Sequence, residues 1–286
     1  MAPSYAKDQP AGQIGKHIAE ELVKTGKHAV TAISRVGSKS PLAEGVKVTH
    51  VDYANEQYIV DALKDQQFLF ISLAVTAPPD TQDKLVKAAA QAGVPWVMLN
   101  GYGTDPLNEK LGDENFNGKG LRAGIKSVED AGFSSWVLLT TSFCGRAAAA
   151  LVSLKVLPED ENDKSVTLSQ WRNKPVYVAS FLVSQRDILG SVQRVTGTTD
   201  KDWEISYQPS KERWKNGVKA LKEGNRQGFA RAMYSRTHFP NGDGNLQDKY
   251  GLANDALGLP KEDFDEATKR AVGMLETRYD PHARAH

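Results

Sequence analysis

The sequence predicts an α/β protein built on a doubly wound, mainly parallel sheet, and three observations carry that prediction. Through the first half, helix-like and strand-like segments alternate at short intervals, as successive strand–helix units do. One strand candidate, 68–74, is apolar almost throughout, which is the pattern of a strand covered on both faces. After Cys144 the regular alternation stops and a smaller α+β portion follows, so the chain divides into residues 1–143 and 144–286.

The elements follow in order. Ile14, Ile18 and Leu22 recur at every fourth position with Val23 beside them, and Gly26 stands where a C-cap would, giving an amphipathic helix over 13–25. Residues 28–34 and 46–52 are rich in β-branched side chains, with Pro41 and Gly45 interrupting the stretch between them, and read as strands. A helix over 55–64, the buried strand 68–74 and a helix over 81–92 ending at Gly93 come next. A strand at 94–100, a helix at 119–131 and a strand at 136–141 complete the regular half. Beyond it the patterning predicts a small-residue helix at 145–156, a solvated charged turn at 158–164 and strands at 176–181 and 203–207. It also predicts helices at 184–195, 210–223, 226–236 and 261–277.

Composition removes several function classes. Lys+Arg number 36 against 35 Asp+Glu, so no long-range field draws in a nucleic acid. The most apolar run, 68–75, falls far short of the roughly 18 residues of a membrane span. The first ten residues, M-A-P-S-Y-A-K-D-Q-P, lack an apolar signal core. The single cysteine, Cys144, fits a reducing compartment, and a cytoplasmic protein is expected. The six histidines are scattered, with His282 and His286 at the end of the chain, and no metal site is expected. Neither a G-x-S-x-G elbow nor a Cys-His pairing motif supports hydrolase chemistry. Asn241, Asp243 and Asn245 imitate a calcium loop, but Leu246 replaces its glycine and no glutamate closes it, so a polar turn is expected.

The segments A-G-Q-I-G-K-H-I, T-A-I-S-R, V-D-Y, V-T-A-P-P-D-T-Q, A-A-A-Q-A-G-V-P-W-V and N-G-Y-G-T-D-P-L-N resemble fungal NmrA-like and isoflavone-reductase-like proteins. The likeness resumes at L-V-S-L-K-V-L-P-E-D and N-K-P-V-Y-V-A-S-F-L-V-S-Q-R-D and covers most of the chain. That group belongs to the extended short-chain dehydrogenases. The resemblance implies an NADP(H)-binding Rossmann domain with strand order 3-2-1-4-5-6 and a small aromatic or conjugated substrate. For the NmrA-like members it implies instead a non-catalytic nucleotide sensor that binds a regulatory protein partner.

Two departures from that pattern carry expectations of their own. In the family a hydrophobic first strand runs into a G-x-x-G-x-x-G turn, and here only Gly12 and Gly15 match its last two glycines. Residues 4–10 are polar and end in proline, so the central first strand is expected to be missing, with weak NADP binding and lowered stability as consequences. Between Phe143 and Cys144 the family carries a longer stretch lining the substrate cleft. Both gaps read as excised blocks, of the kind a truncated isoform or an incomplete gene model leaves.

Site residues follow from the resemblance and from where dinucleotide folds hold their ligand. Gly12, Gln13, Ile14 and Gly15 stand at the pyrophosphate turn, although an ordinary loop and helix start would look the same. Ser34, Arg35, Ser38 and Lys39 follow the second strand, where an acid would read an NAD ribose and an arginine suits a 2′-phosphate; a solvated basic loop is the alternative. Val75 and Thr76, and Asn100, Tyr102 and Gly103, stand at or just after the ends of the strands expected at 68–74 and 94–100 and are expected to flank the nicotinamide. The family often carries an acid where Gly101 stands. Lys119 matches a lysine that assists hydride transfer in isoflavone-reductase-like members, against the alternative of a solvated lysine at a helix start. Tyr207-x-x-x-Lys211 has the spacing of a dehydrogenase Tyr-Lys pair, but Pro209 between them breaks the shared helical face such a pair needs.

Overall fold

Seven strands among the described residues form one sheet in the computed structural model: β1 (Ser4–Asp8), β2 (Ala29–Arg35), β3 (Lys47–Val51), β4 (Phe68–Ile71), β5 (Trp96–Met98), β6 (Trp136–Thr140) and β7 (Lys174–Tyr177). Their lateral order is β3-β2-β1-β4-β5-β6-β7, and every neighbouring pair is parallel. The structure describes residues 4–8, 13–38, 42–74, 77–103, 105–133, 135–140 and 144–277. Strand order reverses between β1 and β4, which makes the carboxyl ends of those two strands the switch point of a doubly wound sheet.

Eleven helices accompany the sheet among the described residues. Those of the regular half are α1 (Gln13–Lys24), α2 (Glu56–Leu63), α3 (Thr81–Gln91), α4 (Glu109–Glu114) and α5 (Gly118–Asp130). After β6 come α6 (Cys144–Val152), α7 (Gln185–Thr196), α8 (Ser210–Lys222), α9 (Gln227–Thr237), α10 (Leu246–Tyr250) and α11 (Phe264–Glu276). Local chemistry fixes several ends: Ser184 and Asp187 form a reciprocal capping box at α7, which closes on Gly197 in the left-handed region.

The strand period of two distributes β4 between two cores. Phe68 and Phe70 pack on one face with Ile18, Leu22 and the α6 alanines, while Leu69 and Ile71 pack on the other with Ile59, Leu85 and Leu138. All four are fully covered, as the unbroken apolar run requires.

The expected loss of the first strand is corrected by the structure. Ser4–Asp8 is an interior strand, in register with β2 (Ser4↔Ala29) on one side and β4 (Tyr5↔Phe68) on the other. Strand formation here is decided by ladder bonds to two strong neighbours, which override the poor intrinsic propensity of a polar segment. The strand ends at Asp8, two residues before Pro10 in the sequence. With β2 and β4 both paired to β1, the unpaired edges that would have lowered stability do not arise.

Other elements shift for identifiable reasons. The strand expected at 176–181 is β7, beginning two residues earlier and including Pro175, which a strand at the sheet edge tolerates because its outer N–H would be unpaired anyway. The strand expected at 203–207 is not one: Trp203 and Tyr207 are exposed, and the run joins no strand of the sheet. The sheet also continues past residue 143, since β7 pairs with β6 and the alanine face of α6 lies in the core. The short helices α4 and α10 carry too few turns to show a period in the sequence. No helix among the described residues is long and apolar enough to cross a membrane.

Helix α6 crosses α1 at Gly145, where a Cβ would lie 2.7 Å from the His17 carbonyl oxygen. Backbone cannot yield as a side chain does, so Gly145→Ala is expected to cost about 1–3 kcal/mol in urea unfolding. Gly190→Ala, where a Cβ would meet only the Arg194 Nη1 at 3.5 Å, serves as a control and should be neutral or slightly stabilising.

The C-terminal helices are tied to the regular half by charge. Arg236, at 0% exposure, donates through Nε to Glu114 and through Nη2 to Asp243 at 2.6 Å, while Lys249 Nζ and Asn108 Nδ2 reach the same Asp243 at 3.2 and 3.0 Å. The predicted polar turn is therefore the acidic end of a buried ion network. Burial raises the Asp243 carboxyl, but hydrogen bonds from Arg236, Asn241 and Lys249 outweigh it and hold the group down at about 2. A carboxyl depressed in the folded state contributes stability above its unfolded value that is lost as pH falls through the folded one. About 2 kcal/mol present at neutral pH should therefore disappear between about pH 4 and pH 2. Urea unfolding across that range should show this slope, and Asp243→Asn should flatten it.

Candidate functional site

In a parallel sheet each connecting helix runs back antiparallel to its strand, so helix N-termini and strand carboxyl ends share one edge. The described residues among those singled out from the sequence gather along that edge. At the switch point β1 ends at Asp8 and α1 begins at Gln13, with no acidic residue in its first turn, as an anion-binding helix start requires. Gly12 lies outside the described residues, as do Lys39, Val75 and Thr76. Ile14 packs against the core and Gly15 is buried, so each has a packing role alongside any ligand role.

Arg35 closes β2. Its carbonyl accepts from Ser38 N at 3.1 Å across Val36 and Gly37, and the φ of +80° at Gly37 is what a type II turn needs at its third residue. The His50 ring donates to the same carbonyl at 3.1 Å from the neighbouring strand. The backbone at Arg35 is thus pinned while its side chain is exposed, and among the described residues the guanidinium makes no ion pair. Ser34 and Ser38 beside it are half-buried.

Asn100 ties two loops together. Its side chain donates to the Leu73 carbonyl at 3.3 Å, and its backbone N–H donates to Gln82 Oε1 at 3.1 Å in the first turn of α3. Tyr102 packs partly against the core, and Gly103 faces open space. Gly101 is closely packed: a Cβ there would lie 2.5 Å from Leu138 Cδ2 and 2.8 Å from Leu121 Cδ1. An acidic side chain at that position would have to displace both leucines. Lys119 is exposed in the first turn of α5, two residues before the leucine that packs on Gly101. Tyr207 and Lys211 share no element, as the intervening proline predicted: Pro209 caps α8, Lys211 lies inside it and Tyr207 is 83% exposed outside it.

Sequence reasoning missed a cluster on the same edge. Asp105, only 2% exposed in the loop after β5, accepts from Tyr177 Oη through Oδ1 and from Tyr250 Oη through Oδ2, each at 2.9 Å. The two rings stack with centroids 4.5 Å apart and an interplanar angle of 8°. Burial, then the adjacent Asp105 carboxylate, pushes both phenols above their ordinary range, so they remain neutral donors. The only available signal was an Asp-Pro step inside the loop 100–108, and no local pattern joins it to tyrosines 72 and 145 residues away.

Residues 11–131 match the family model described as NAD(P)H-binding. By sequence, no curated protein matches the chain. In structure it is similar to isoflavone reductase, with a TM-score of 0.69 and 14% identity over 95% of this chain and 100% of that one. It is also similar to an NADPH-dependent quinone oxidoreductase from Escherichia coli, with a TM-score of 0.62 and 16% identity over 94% of this chain and 99% of that one. A triphenylmethane reductase from Citrobacter sp., solved with NADP(H), gives a TM-score of 0.58 and 16% identity over 93% of this chain and 99% of that one. Residues 11–131 therefore carry an NAD(P)H-binding domain, on a Rossmann-like sheet whose strands extend beyond it in both directions.

Proposed function

We propose that this protein is an oxidoreductase that uses NADP(H), in preference to NAD(H), to reduce a small aromatic or conjugated molecule. The carrying observation is the end of β2, where an exposed arginine without an ion pair among the described residues follows a half-buried serine. No acid occurs in S-R-V-G-S-K, residues 34–39. A guanidinium forks onto a 2′-phosphate, whereas an NAD site places a carboxylate there to accept from the 2′-hydroxyl. Bound NADPH would supply the hydride. The acid-free start of α1, with Gly12, Gln13, Ile14 and Gly15, would face the pyrophosphate, and Ser38 and Lys39 would complete the phosphate contact. Val75, Thr76, Asn100, Tyr102 and Gly103 would border the nicotinamide, and Lys119 would polarise the substrate or supply a proton to it. Residues 144–286 would close the substrate side, left more open by the short run between β6 and α6. Fold neighbours solved as NADPH-dependent reductases support the reading. The lone cysteine supports a cytosolic setting.

The test is a titration of NADP and NAD against the purified chain. NADP is expected to bind more tightly, and Arg35→Ala should weaken it by about 1.5–3 kcal/mol with little effect on NAD. Equal affinities, or an Arg35→Ala variant that binds NADP unchanged, would overturn the assignment. Spacing puts Gln9 where the family has its first glycine, so affinity should be modest and Gln9→Gly should raise it. NADPH consumption with a quinone acceptor then tests catalysis.

One observation favours a second reading, a non-catalytic NADP sensor that binds a protein partner. Leu121 and Leu138 leave no space at Gly101 for the acid many family members carry. NADP binding without NADPH consumption would support it.

A further inference from the structure

We infer that Tyr250 is a stacking platform for a flat aromatic substrate, held rigid by Asp105 and Tyr177. The inference rests on the reductase reading above and names the residue that selects its substrate.

Three restraints fix the Tyr250 ring. Its hydroxyl donates to Asp105 Oδ2 at 2.9 Å, one ring face lies on Tyr177 at 4.5 Å, and its backbone ends α10. The segment after α10 is itself bound to the chain leaving β7: Ala253 N donates to the Tyr177 carbonyl at 2.7 Å, and the Asn254 side chain exchanges hydrogen bonds with Ala179 at 2.7 and 3.1 Å. Despite these restraints the residue remains 46% exposed. A large aromatic ring, oriented by a buried carboxylate and still open to solvent, gains nothing for the fold from that exposure. It offers a preorganised surface on which a further ring can stack without ordering cost.

Its position fits a substrate beside the nicotinamide. Tyr177 ends β7, and Asp105 follows Gly103, the open glycine of the loop after β5. β7 lies two strand spacings from β5, roughly 10 Å at ~4.8 Å per strand, which is about the span of a small fused ring system. A flat molecule lying over the carboxyl ends of β5 and β6 would meet Tyr250 at its far side.

The probe is 1-naphthol, flat and inert to hydride transfer, titrated by its fluorescence against NADP-saturated protein, with cyclohexanol as a competitor lacking a π-face. Tyr250→Leu is expected to weaken naphthol binding about five- to tenfold, the worth of one aromatic pair, while Tyr250→Phe stays within about threefold of wild type. NADP affinity should hold in both variants, both should melt somewhat lower because each loses the hydrogen bond to buried Asp105, and cyclohexanol should displace naphthol poorly from wild type. Absence of naphthol binding, equal binding by Tyr250→Leu, or equal competition by cyclohexanol would overturn the proposal. NADPH consumption is read separately: naphthol binding that depends on Tyr250 in a protein that consumes no NADPH removes the reductase reading and leaves the platform standing, whereas turnover insensitive to Tyr250→Leu does the reverse.

Discussion

Arg236→Ala is expected to destabilise the protein by about 3 kcal/mol at pH 7, near the lower end of the 3–5 kcal/mol range for removing one partner from a buried ion network. The side chain is wholly buried between Glu114 and Asp243 and lies over the Phe239 ring at 4.6 Å. Truncation removes the cation the two carboxylates share and, among the described residues, leaves Asp243 with Lys249 as its remaining cation beside the neutral donors Asn108 and Asn241. The lower end is expected because the Glu114 side chain keeps 28% exposure and can recover some solvation. Denaturant unfolding measures the loss, and a cost below about 1 kcal/mol would show that the network contributes little. Arg236→Met combined with Asp243→Asn should recover part of the loss, since removing charge from both sides leaves less of it unpaired, and the departure from additivity measures the coupling.

That network marks where sequence reading stops. Asn241, Asp243 and Asn245 read as a polar turn, and each does perform a local turn function: Asn241 and Asp243 bond to one another, and Asn245 caps α10. What no local pattern could reveal is that Asp243 faces an arginine on α9 and, through it, a glutamate on α4 in the other half of the chain. Pairings at such separation are set by how helices pack, which periodicity does not encode. The regular half was legible wherever a strand is apolar on both faces or a helix is long enough to show a period. β4 and α1 are the clearest examples.

The first strand was misread for the opposite reason. Residues 4–8 carry no strand pattern of their own, and their conformation comes from β2 and β4, each of which offers a free row of backbone groups. An interior strand can therefore be specified by its neighbours. The candidate site was legible in outline because carboxyl ends of strands follow from the strand pattern itself. Arg35, Asn100 and Lys119 fall on one edge as a consequence of topology. Asp105 and its tyrosines were not legible, because the three positions lie 72 and 145 residues apart and meet only once β7 has taken its place at the sheet edge.

Lys119→Ala is expected to lower turnover by about 10²–10⁴ while leaving NADP affinity within about twofold, the signature of lost acid–base or electrostatic assistance at the reacting end of the cofactor. The residue stands in the first turn of α5, on the edge where strands end, two residues before Leu121, which packs against Gly101. Its exposure makes the substitution nearly neutral for folding, within about 0.5 kcal/mol, so a lost rate cannot be mistaken for a lost fold. In the proposed site the nucleotide phosphates would lie at α1 and β2, across the switch point from α5, which is why binding should be spared. Lys119→Arg separates the two ways a lysine can act: it keeps the positive charge but cannot give up a proton, so recovery of the rate would assign an electrostatic role and continued loss a proton-transfer role. NADPH oxidation with a quinone acceptor provides the rate, and a melting curve for each variant provides the stability check. An unchanged rate in Lys119→Ala would return this lysine to the solvated surface, whereas NADP binding with no NADPH consumption in the wild-type protein would support the sensor reading instead.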